Sequence, residues 1–444
     1  MTISFKIFLT LFSLLGYAVG YAQNGKVLHL SLQEALRLAN SKAYQIQIAK
    51  SELRQAEGKN LESWGGFLPR ASISENYIKS NDAVTAFSLK LKQGIFSQQD
   101  FSLSTLNNPD AIDNYATLFQ VQQPLLNLDA IYGKSAAKLG VKARQAALNR
   151  TEEAIALAVK KAYYGLILAT EKRRAVDEAV QSATAHRDDA RAAFEQGIIN
   201  QADYLAAEVR LGELQEEGII AEHQIANAGD GLKFVIGIEE ESAVVPTDGL
   251  PAPANEPKKS ESHDHERLAA RSDLQALRFQ SQAAQRNLWM TRSNWVPRLN
   301  AFGSVEWNSS QAFRQDGSSW ALGLQLQWQF FDGLGTFGRS KRAAAEAEVV
   351  DVQVRQAQEK ARLEARKAER AVAAAHKRIR VAQTAVEQAQ EGQRIVEERF
   401  KEGLERASDL LDKETALTHA KLRLIKARHD YAIAVGELQF ALGL

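Results

Sequence analysis

The sequence predicts a mainly α-helical protein with a membrane β-barrel portion, built from one duplicated unit. Three observations predict this fold class: a gapless internal repeat, two long stretches of heptad periodicity, and an eleven-residue segment that alternates like a transmembrane strand. Together they predict a long coiled-coil α-helical barrel and four transmembrane β-strands per protomer.

The internal repeat covers most of the chain. Fourteen residues between Phe194 and Gly237 recur at the same spacing between Phe400 and Gly443. Upstream, FLPR at 67–70 corresponds to WVPR at 295–298, and GKS at 133–135 corresponds to GRS at 338–340. Such self-similarity indicates that one structural unit occurs twice.

The repeat predicts three parts in the mature chain. The first structural repeat is 23–238 and the second is 267–444, each with a helix, two strands and a long helical hairpin. Between them, 239–266 reads as a linker, because the segment around it holds four of the eight prolines together with many polar residues.

Residues 1–22 predict a secretory signal peptide. Lys6 supplies an early positive charge, residues 7–15 are apolar, and Gly20 and Ala22 suit the small positions before a cleavage site. An uncleaved anchor is the alternative, but the apolar run is shorter than the roughly 20 residues that span a bilayer as a helix.

The composition excludes several classes of function. The 55 basic and 54 acidic residues give no net field for nucleic acid, and the absence of cysteine excludes disulfides and thiolate chemistry. The only histidine cluster, at His263 and His265, lies in the polar linker. The sequence therefore predicts no enzyme, no cofactor and no metal site.

The helices carry coiled-coil periodicity. Apolar residues follow spacings of three and four over 159–194, and again in the same register over 372–400. A helix over 129–195 would be about 100 Å long. A second stripe, which includes Val381 and Ile395, lies beside the later seam, so this helix is expected to contact neighbours on two sides.

Each hairpin is expected to turn at a glycine, with an aspartate near the start of the returning helix. The predicted tip residues are Gly197, Asp203 and Leu205 in the first repeat, and Gly403, Asp409 and Leu411 in the second.

The segment 320–330 has the pattern of a transmembrane strand. Its apolar residues alternate with small or polar ones, and tryptophan lies near each end, as expected for a strand with aromatic girdles. The predicted lipid-facing residues are Trp320, Leu322, Leu324, Leu326, Trp328 and Phe330. A soluble strand with one buried face is the alternative.

Three weaker segments, 71–78, 115–121 and 299–307, alternate in the same way. The stretch from Lys79 to Asn114, between the first two strands, is expected to be irregular. Four strands cannot close into a barrel, and open sheet edges are not tolerated in lipid. The chain must therefore oligomerise to enter a membrane.

The whole mature chain resembles the TolC family of outer-membrane efflux proteins. The resemblance rests on the order of the motifs, which are LSLQEALRLAN at 30–40 with a capping box of Ser31 and Glu34, FLPR and WVPR, QPLLNLDAIYG at 123–133, WQFFDGLGTFG at 328–338, RSDLQAL at 271–277, and the two tips. It departs from the family pattern at Ser272, where proline is common, and in the long insertion between the first two strands.

The resemblance implies a homotrimer in the outer membrane that extends into the periplasm. A 12-stranded β-barrel would continue into a 12-helix barrel and form a passive exit duct for small molecules. Its partners would be a periplasmic adaptor (membrane fusion) protein bound at the hairpin tips, an inner-membrane pump, and outer-membrane lipid.

The resemblance also implies a periplasmic gate. Asp409 and Asp412 match family positions that form rings of carboxylates. A helix-start role explains Asp409 equally well, since Asp203 is its counterpart. Asp412 has no acidic counterpart, because Ala206 occupies the equivalent position.

Two alternatives remain from the sequence. The same architecture serves as the exit duct of a type I protein secretion system, which passes an unfolded protein. A periplasmic coiled-coil scaffold without channel activity is the second alternative.

Overall fold

The computed structural model describes residues 27–239, 242–251, 268–402 and 404–444. The predicted signal peptide, most of the predicted linker and the tip residue Gly403 lie outside the described residues.

The described chain is mostly helical. The helices are α1 (Leu32–Lys42), α2 (Tyr44–Glu62), α3 (Ala83–Gln93), α4 (Leu103–Asn107), α5 (Leu128–Glu195), α6 (Gln201–Ile236), α7 (Ser272–Arg292), α8 (Gly335–Lys401) and α9 (Ala407–Leu442). The strands are β1 (Val27–Leu30), β2 (Arg70–Ser80), β3 (Ile112–Leu126), β4 (Ala243–Pro246), β5 (Arg298–Ser309) and β6 (Gly317–Gln327).

Helices α5 and α8 set the length of the molecule. They contain 68 and 67 residues, and each is therefore about 100 Å long at 1.5 Å per residue. No helix in the described ranges is both long and apolar enough to cross a membrane.

The heptad seams form the helical core. In the first repeat, Val159, Tyr163 and Leu166 are buried beneath α1. In the second, the buried residues of α8 include Val372 and Ile379, which pack against α9. Helix α5 packs between α2 and α7, and α7 packs between α5 and α8, so these four helices lie side by side with α2 and α8 at the ends of the row.

The duplication is visible in equivalent close contacts. Gly237 ends α6 with a left-handed φ of +82°, and a Cβ there would overlap the carbonyl oxygen of Lys42 next to Ala43. Gly443 ends α9 with a φ of +73°, and a Cβ there would lie 3.1 Å from Cγ of Arg271. Ala43 and Arg271 each precede the first residue of a corresponding helix, α2 or α7.

Four strands form one antiparallel sheet in the order β2-β3-β5-β6. Residues directly opposite each other in such ladders share a face. Ile73, Phe119, Val305 and Trp320 are opposite one another in successive strands and define one row across the sheet. β2 and β6 are the edge strands, and each has one unpaired edge in the described chain.

The structure differs from the sequence expectation in three places. Residues 79–114 are not irregular, because they include α3 and α4. Strand β6 ends at Gln327 instead of Phe330, since its partner β5 begins at Arg298, directly after Pro297, which has no N–H for the ladder. Within the segment predicted as linker, β4 forms a parallel pair with β1.

Candidate functional site

One face of the four-stranded sheet is apolar and exposed. The residues predicted to face lipid, Trp320, Leu322, Leu324, Leu326, Trp328 and Phe330, are between 60% and 78% exposed. The first four lie on β6, whereas Trp328 and Phe330 follow its end. The indole Nε1 of Trp328 donates to the carbonyl of Trp295 at 3.0 Å, which fixes this ring at the end of the sheet nearer the long helices.

Glu75 is a charged residue on this largely apolar face, halfway along the edge strand β2. It lies on β2 opposite Thr117, whose hydroxyl donates to the Glu75 carboxylate. The backbone N–H of Phe313, in the β5–β6 turn, also donates to Glu75 at 3.2 Å. These bonds satisfy the carboxylate of Glu75, whose charge interrupts the apolar alternation of the predicted strand 71–78.

The opposite face of the sheet is polar. It carries serine, asparagine and glutamine from all four strands, for example Ser74, Gln120 and Gln325. Phe302 is an aromatic residue on this side, and its ring covers Gly323 directly opposite on β6, where a Cβ would lie 2.7 Å from the ring. Glycine at this position allows the strands to pair beneath the ring.

The first hairpin turns as its sequence predicts. Gly197 has a φ of +73°, and the N–H of Ile198 donates to the carbonyl of Ala193 at 2.9 Å, as in a left-handed helix C-cap. Asn200 caps α6, because its side chain accepts from the N–H of Asp203 at 3.0 Å. Asp203 therefore lies in the first turn of α6, and Leu205 is exposed.

The second tip also places an aspartate in the first turn of the returning helix. Asp409 lies in the first turn of α9, and its carboxylate accepts from the backbone N–H of Arg406 at 3.4 Å. This contact stabilises the start of the helix. Leu411 is half-buried, whereas its neighbour Leu410 is buried in the hairpin.

Asp412 differs from the other tip carboxylates. Its side chain is exposed, and it has no hydrogen bond or ion pair to any residue in the described part of the chain. It lies one turn after Asp409 on α9. The structure therefore gives Asp409 a local role in capping and leaves the carboxylate of Asp412 available.

The structure also joins the two hairpins through a contact that sequence patterns did not reveal. Nε2 of His186 on α5 lies 2.5 Å from Oε1 of Glu414 on α9, and Ser182 donates to the same oxygen at 3.3 Å. Nearby, Lys421 and Glu178 form a second bridge of 3.1 Å between the same helices. His186 is about ten residues, or roughly 15 Å, from the tip.

Glu414 raises the pKa of His186 through its hydrogen bond, against the opposing effect of burial. Glu397 on α8 and Asp189 on α5 also raise the pKa by their charge. Glu208 is the counterpart of Glu414 in the first repeat, but within the described residues it accepts a local bond from Tyr204 at 2.6 Å and does not join the hairpins.

The described residues contain no group of three or more histidine, cysteine, aspartate or glutamate side chains arranged to hold a metal ion. The predicted linker pair, His263 and His265, lies outside the described residues.

The sequence pattern of the family described as "Outer membrane efflux protein" matches residues 80–238 and 265–444. The chain belongs to this family.

Two characterised relatives of this efflux-family protein are recognisable in sequence. Outer membrane protein TolC of Vibrio cholerae is 22% identical over 310 residues, which cover 68% of this chain and 71% of that protein. The alkaline protease secretion protein AprF of Pseudomonas aeruginosa is 24% identical over 345 residues, which cover 75% of this chain and 70% of AprF.

The fold is similar to that of solved outer-membrane channels. The crystal structure of the Campylobacter jejuni CmeC outer membrane channel superposes with a TM-score of 0.79, covering 93% of this chain and 85% of CmeC at 16% sequence identity. This efflux-family protein is therefore an outer-membrane protein that extends into the periplasm, with an exit-duct role in efflux or secretion. Its location in the outer membrane excludes the second alternative, a scaffold confined to the periplasm.

Proposed function

We propose that this protein is the homotrimeric outer-membrane exit duct of a tripartite efflux system. It passively conducts small molecules from an inner-membrane pump and a periplasmic adaptor to the exterior. The observation that carries the proposal is the four-stranded sheet, which has one exposed apolar face and an unpaired edge on both β2 and β6.

This sheet requires partner copies in a membrane. Every backbone polar group must be paired within the hydrocarbon region, so β2 of one copy pairs with β6 of the next until the sheet closes. Three copies give 12 strands, which leave a lumen, whereas eight strands would be filled by side chains. The polar face of the sheet then lines the duct, and the apolar face contacts lipid.

The helices support the same ring. Val381 and Ile395, in the second stripe of α8, are exposed in the single chain. The outer surface of α6 likewise exposes Val209, Ile219 and Ile220. Closure of the ring gives these apolar residues partners on the neighbouring copy, and four helices per copy build a 12-helix wall across the periplasm.

The hairpin tips are the proposed adaptor contacts. Gly197, Asp203 and Leu205 form one contact site, and Gly403, Asp409 and Leu411 form the other. The position of these residues supports the proposal, because the tips are the ends of helices about 100 Å long. At the same level, Asp409 and Asp412 of three copies are the proposed periplasmic gate.

AprF supports a second candidate function. Its name describes the secretion of alkaline protease, and its similarity to this chain is comparable with that of TolC. A type I secretion duct would have the same trimeric architecture and differ in its pump and adaptor. The identity of the pump and adaptor genes adjacent to this gene distinguishes the two candidates.

The trimer is tested by disulfide cross-linking between edge strands. The natural chain has no cysteine, so any covalent trimer must come from introduced residues. We would combine Ser72→Cys or Ser74→Cys on β2 with Ser319→Cys or Gln325→Cys on β6, and oxidise the protein in isolated outer membranes. At least one combination is expected to give a covalent trimer on a denaturing gel.

The matched control replaces the β6 cysteine with Ser304→Cys on the central strand β5. Cysteines whose Cα atoms are more than about 7 Å apart cannot form a disulfide, so this control is expected to stay monomeric. If none of the edge pairs gives a trimer although the protein is folded in the outer membrane, the proposed closure is wrong.

A further inference from the structure

The insertion between β2 and β3 forms a small folded unit at the end of the sheet farther from the long helices. Its main element is α3, which begins at the capping residue Asp82 and ends at Gly94 with a φ of +71°. The rings of Phe87 and Phe96 lie 4.8 Å apart, and Phe96 also contacts Phe101 at 5.1 Å. The insertion therefore has an aromatic cluster of its own.

Helix α3 crosses the sheet along its rim. It contacts β3, β5 and β6. Its 11 residues give a length of about 16 Å, close to the roughly 14 Å spanned by four strands at 4.8 Å spacing. Gly317 at the start of β6 allows this close approach, because a Cβ there would overlap the carbonyl oxygen of Lys92.

Polar contacts place α3 on the polar face of the sheet. Gln93, which is 3% exposed, donates to the carbonyl of Asp113 and to Oδ1 of Asn114, both at 2.8 Å. The side chain of Asn114 donates to Oδ1 of Asn308 at 2.9 Å. Asn308 lies on the face opposite the Trp320 row, since the side chains of successive strand residues alternate.

An ion pair makes a second attachment to the same face. Nζ of Lys92 lies 2.9 Å from Oε1 of Glu306 on β5. Glu306 lies opposite Ser319, two residues before Asn308 on the same side of the strand. The C-terminal end of α3 is therefore held at the rim by a buried amide network and by a charge pair.

The opposite side of α3 is apolar and exposed. Ala86, Leu89 and Gln93 are buried toward the sheet, whereas Val84 is 78% exposed and Leu91 is 51% exposed. Val84 and Leu91 are seven residues apart, so they lie on one stripe of the helix. Since the buried side packs on the polar face, this stripe points away from the strands and into the space that the face encloses.

We infer that α3 forms an apolar collar at the outer mouth of the duct, where Val84 and Leu91 restrict the size and hydration of the solutes that leave. The inference rests on the proposed function, because only a closed barrel turns the polar face into a lumen. Twelve strands tilted by about 40° enclose a barrel about 24 Å across between backbones. Three helices about 10 Å in diameter fill most of such a mouth.

The chemistry of the collar follows from its residues. Hydrophobic constrictions in a pore exclude hydrated ions by dewetting. Val84 and Leu91 therefore disfavour small hydrated ions and large polar solutes. Amphiphilic solutes with an apolar surface lose less hydration there and pass more readily.

The test measures the channel mouth in planar bilayers with the purified oligomer. Polyethylene glycols of graded size are added only to the compartment that faces the sheet end of the oligomer. The polymers then report the width of the outer mouth and not that of the hairpin tips. The double variant Val84→Ser/Leu91→Ser should admit larger polymers and raise the conductance by about twofold, because a polar collar stays hydrated. Val84→Trp should lower both the largest polymer size admitted and the conductance.

Leu103 supplies the control, because it is also 78% exposed but lies on α4, outside the stripe. Leu103→Ser and Leu103→Trp should leave the polymer cut-off and the conductance unchanged. Assembly of each variant is checked by its migration as an oligomer. If the wild type forms channels and the collar variants do not change them, the collar is wrong and the duct stands. If folded wild type forms no channels, the proposed function itself fails.

Discussion

Nε2 of His186 lies 2.5 Å from Oε1 of Glu414, and this contact joins the first helical hairpin to the second. Both side chains are mostly buried, at 23% and 13% exposure. Three carboxylates on the elements around the imidazole raise its pKa, namely those of Glu414 on α9, Glu397 on α8 and Asp189 on α5. The protonated histidine is therefore favoured, and its pKa lies above the ordinary 6.5.

We expect the stability of the hairpin pair to depend on pH through His186. Because the folded-state pKa is raised, the contribution is fully present below pH 6.5 and is lost as the pH rises through the raised pKa. A partly buried, charge-assisted bond of this kind contributes about 1 kcal/mol.

The measurement is the thermal unfolding midpoint of wild type and His186→Gln between pH 5 and pH 9. The difference between the two proteins should be largest at low pH and should shrink as the pH rises. Using the difference removes the titration of other groups that both proteins share. Two parallel curves would show that the ion pair contributes nothing.

Arg271 supplies a second prediction, on stability. It is 3% exposed and reaches Asp273 at 2.8 Å, Glu364 at 2.9 Å and the carbonyl of Ala441 at 3.0 Å. The equivalent place in the first repeat is occupied by Ala43, which needs no partner. Arg271→Met should destabilise the protein by about 2 to 3 kcal/mol, because it removes the buried donor that Asp273, Glu364 and the carbonyl of Ala441 share.

Denaturant unfolding followed by helical circular dichroism measures this loss. The matched control is Arg362→Met on α8, because Arg362 is exposed and pairs only with Glu359 of its own helix. That change should cost at most about 0.5 kcal/mol. Equal effects of the two substitutions would mean that the buried cluster around Arg271 is energetically unimportant.

The sequence predicts the features that repeat or alternate, and it misses those that depend on distant pairs. Segments 71–78, 115–121, 299–307 and 320–330 alternate in polarity, and each overlaps a strand of the sheet. The exact end of β6 depends on Pro297 in the neighbouring strand. The end of β6 is set by its partner strand β5 and is not visible in the sequence of the segment 320–330 itself.

The packing of the insertion and the pairing of β1 with β4 also depend on distant partners that the sequence does not reveal. Asp82 and Gly94 are cap signals for α3, but the helix between them is short, and its buried face became clear only against the polar side of the sheet. β1 and β4 have four residues each and pair across most of the first repeat. The bond of His186 to Glu414 depends on how two hairpins align, which heptad periodicity does not specify.

The two faces of β6 give a third prediction. Leu324 lies on the exposed apolar face, and Gln325 follows it on the polar face. Leu324→Arg should reduce assembly in the outer membrane, because a lipid-facing arginine costs about 2 to 4 kcal/mol at the bilayer centre and less toward the interface. Gln325→Arg should assemble normally, since the proposed closure of the sheet turns the polar face, and this side chain with it, toward the lumen.

The amount of oligomer in purified outer membranes distinguishes these outcomes. The two variants introduce the same side chain at adjacent positions, so they control for expression and for the loss of strand propensity. If Gln325→Arg is the more harmful change, the assignment of the lipid and lumen faces is reversed.

Asp412 gives the last prediction, on conductance. Its carboxylate is exposed and has no partner within the described residues, whereas Asp409 bonds the backbone of Arg406 at the start of α9. In the proposed trimer, three Asp412 side chains near the hairpin tips would create a negative ring that attracts cations. Asp412→Ala should reduce cation selectivity and change the size of single-channel openings in planar bilayers.

The control is Glu216→Ala, which removes an exposed carboxylate from the shaft of α6 away from the tip. It changes the net charge of the trimer by the same amount, so it isolates the effect of position. Asp409→Ala should mainly lower the unfolding temperature of the hairpin, because Asp409 stabilises the helix start. If Asp412→Ala and Glu216→Ala give the same conductance and selectivity as wild type, the acidic gate is wrong, and closure of the tips must come from helix packing.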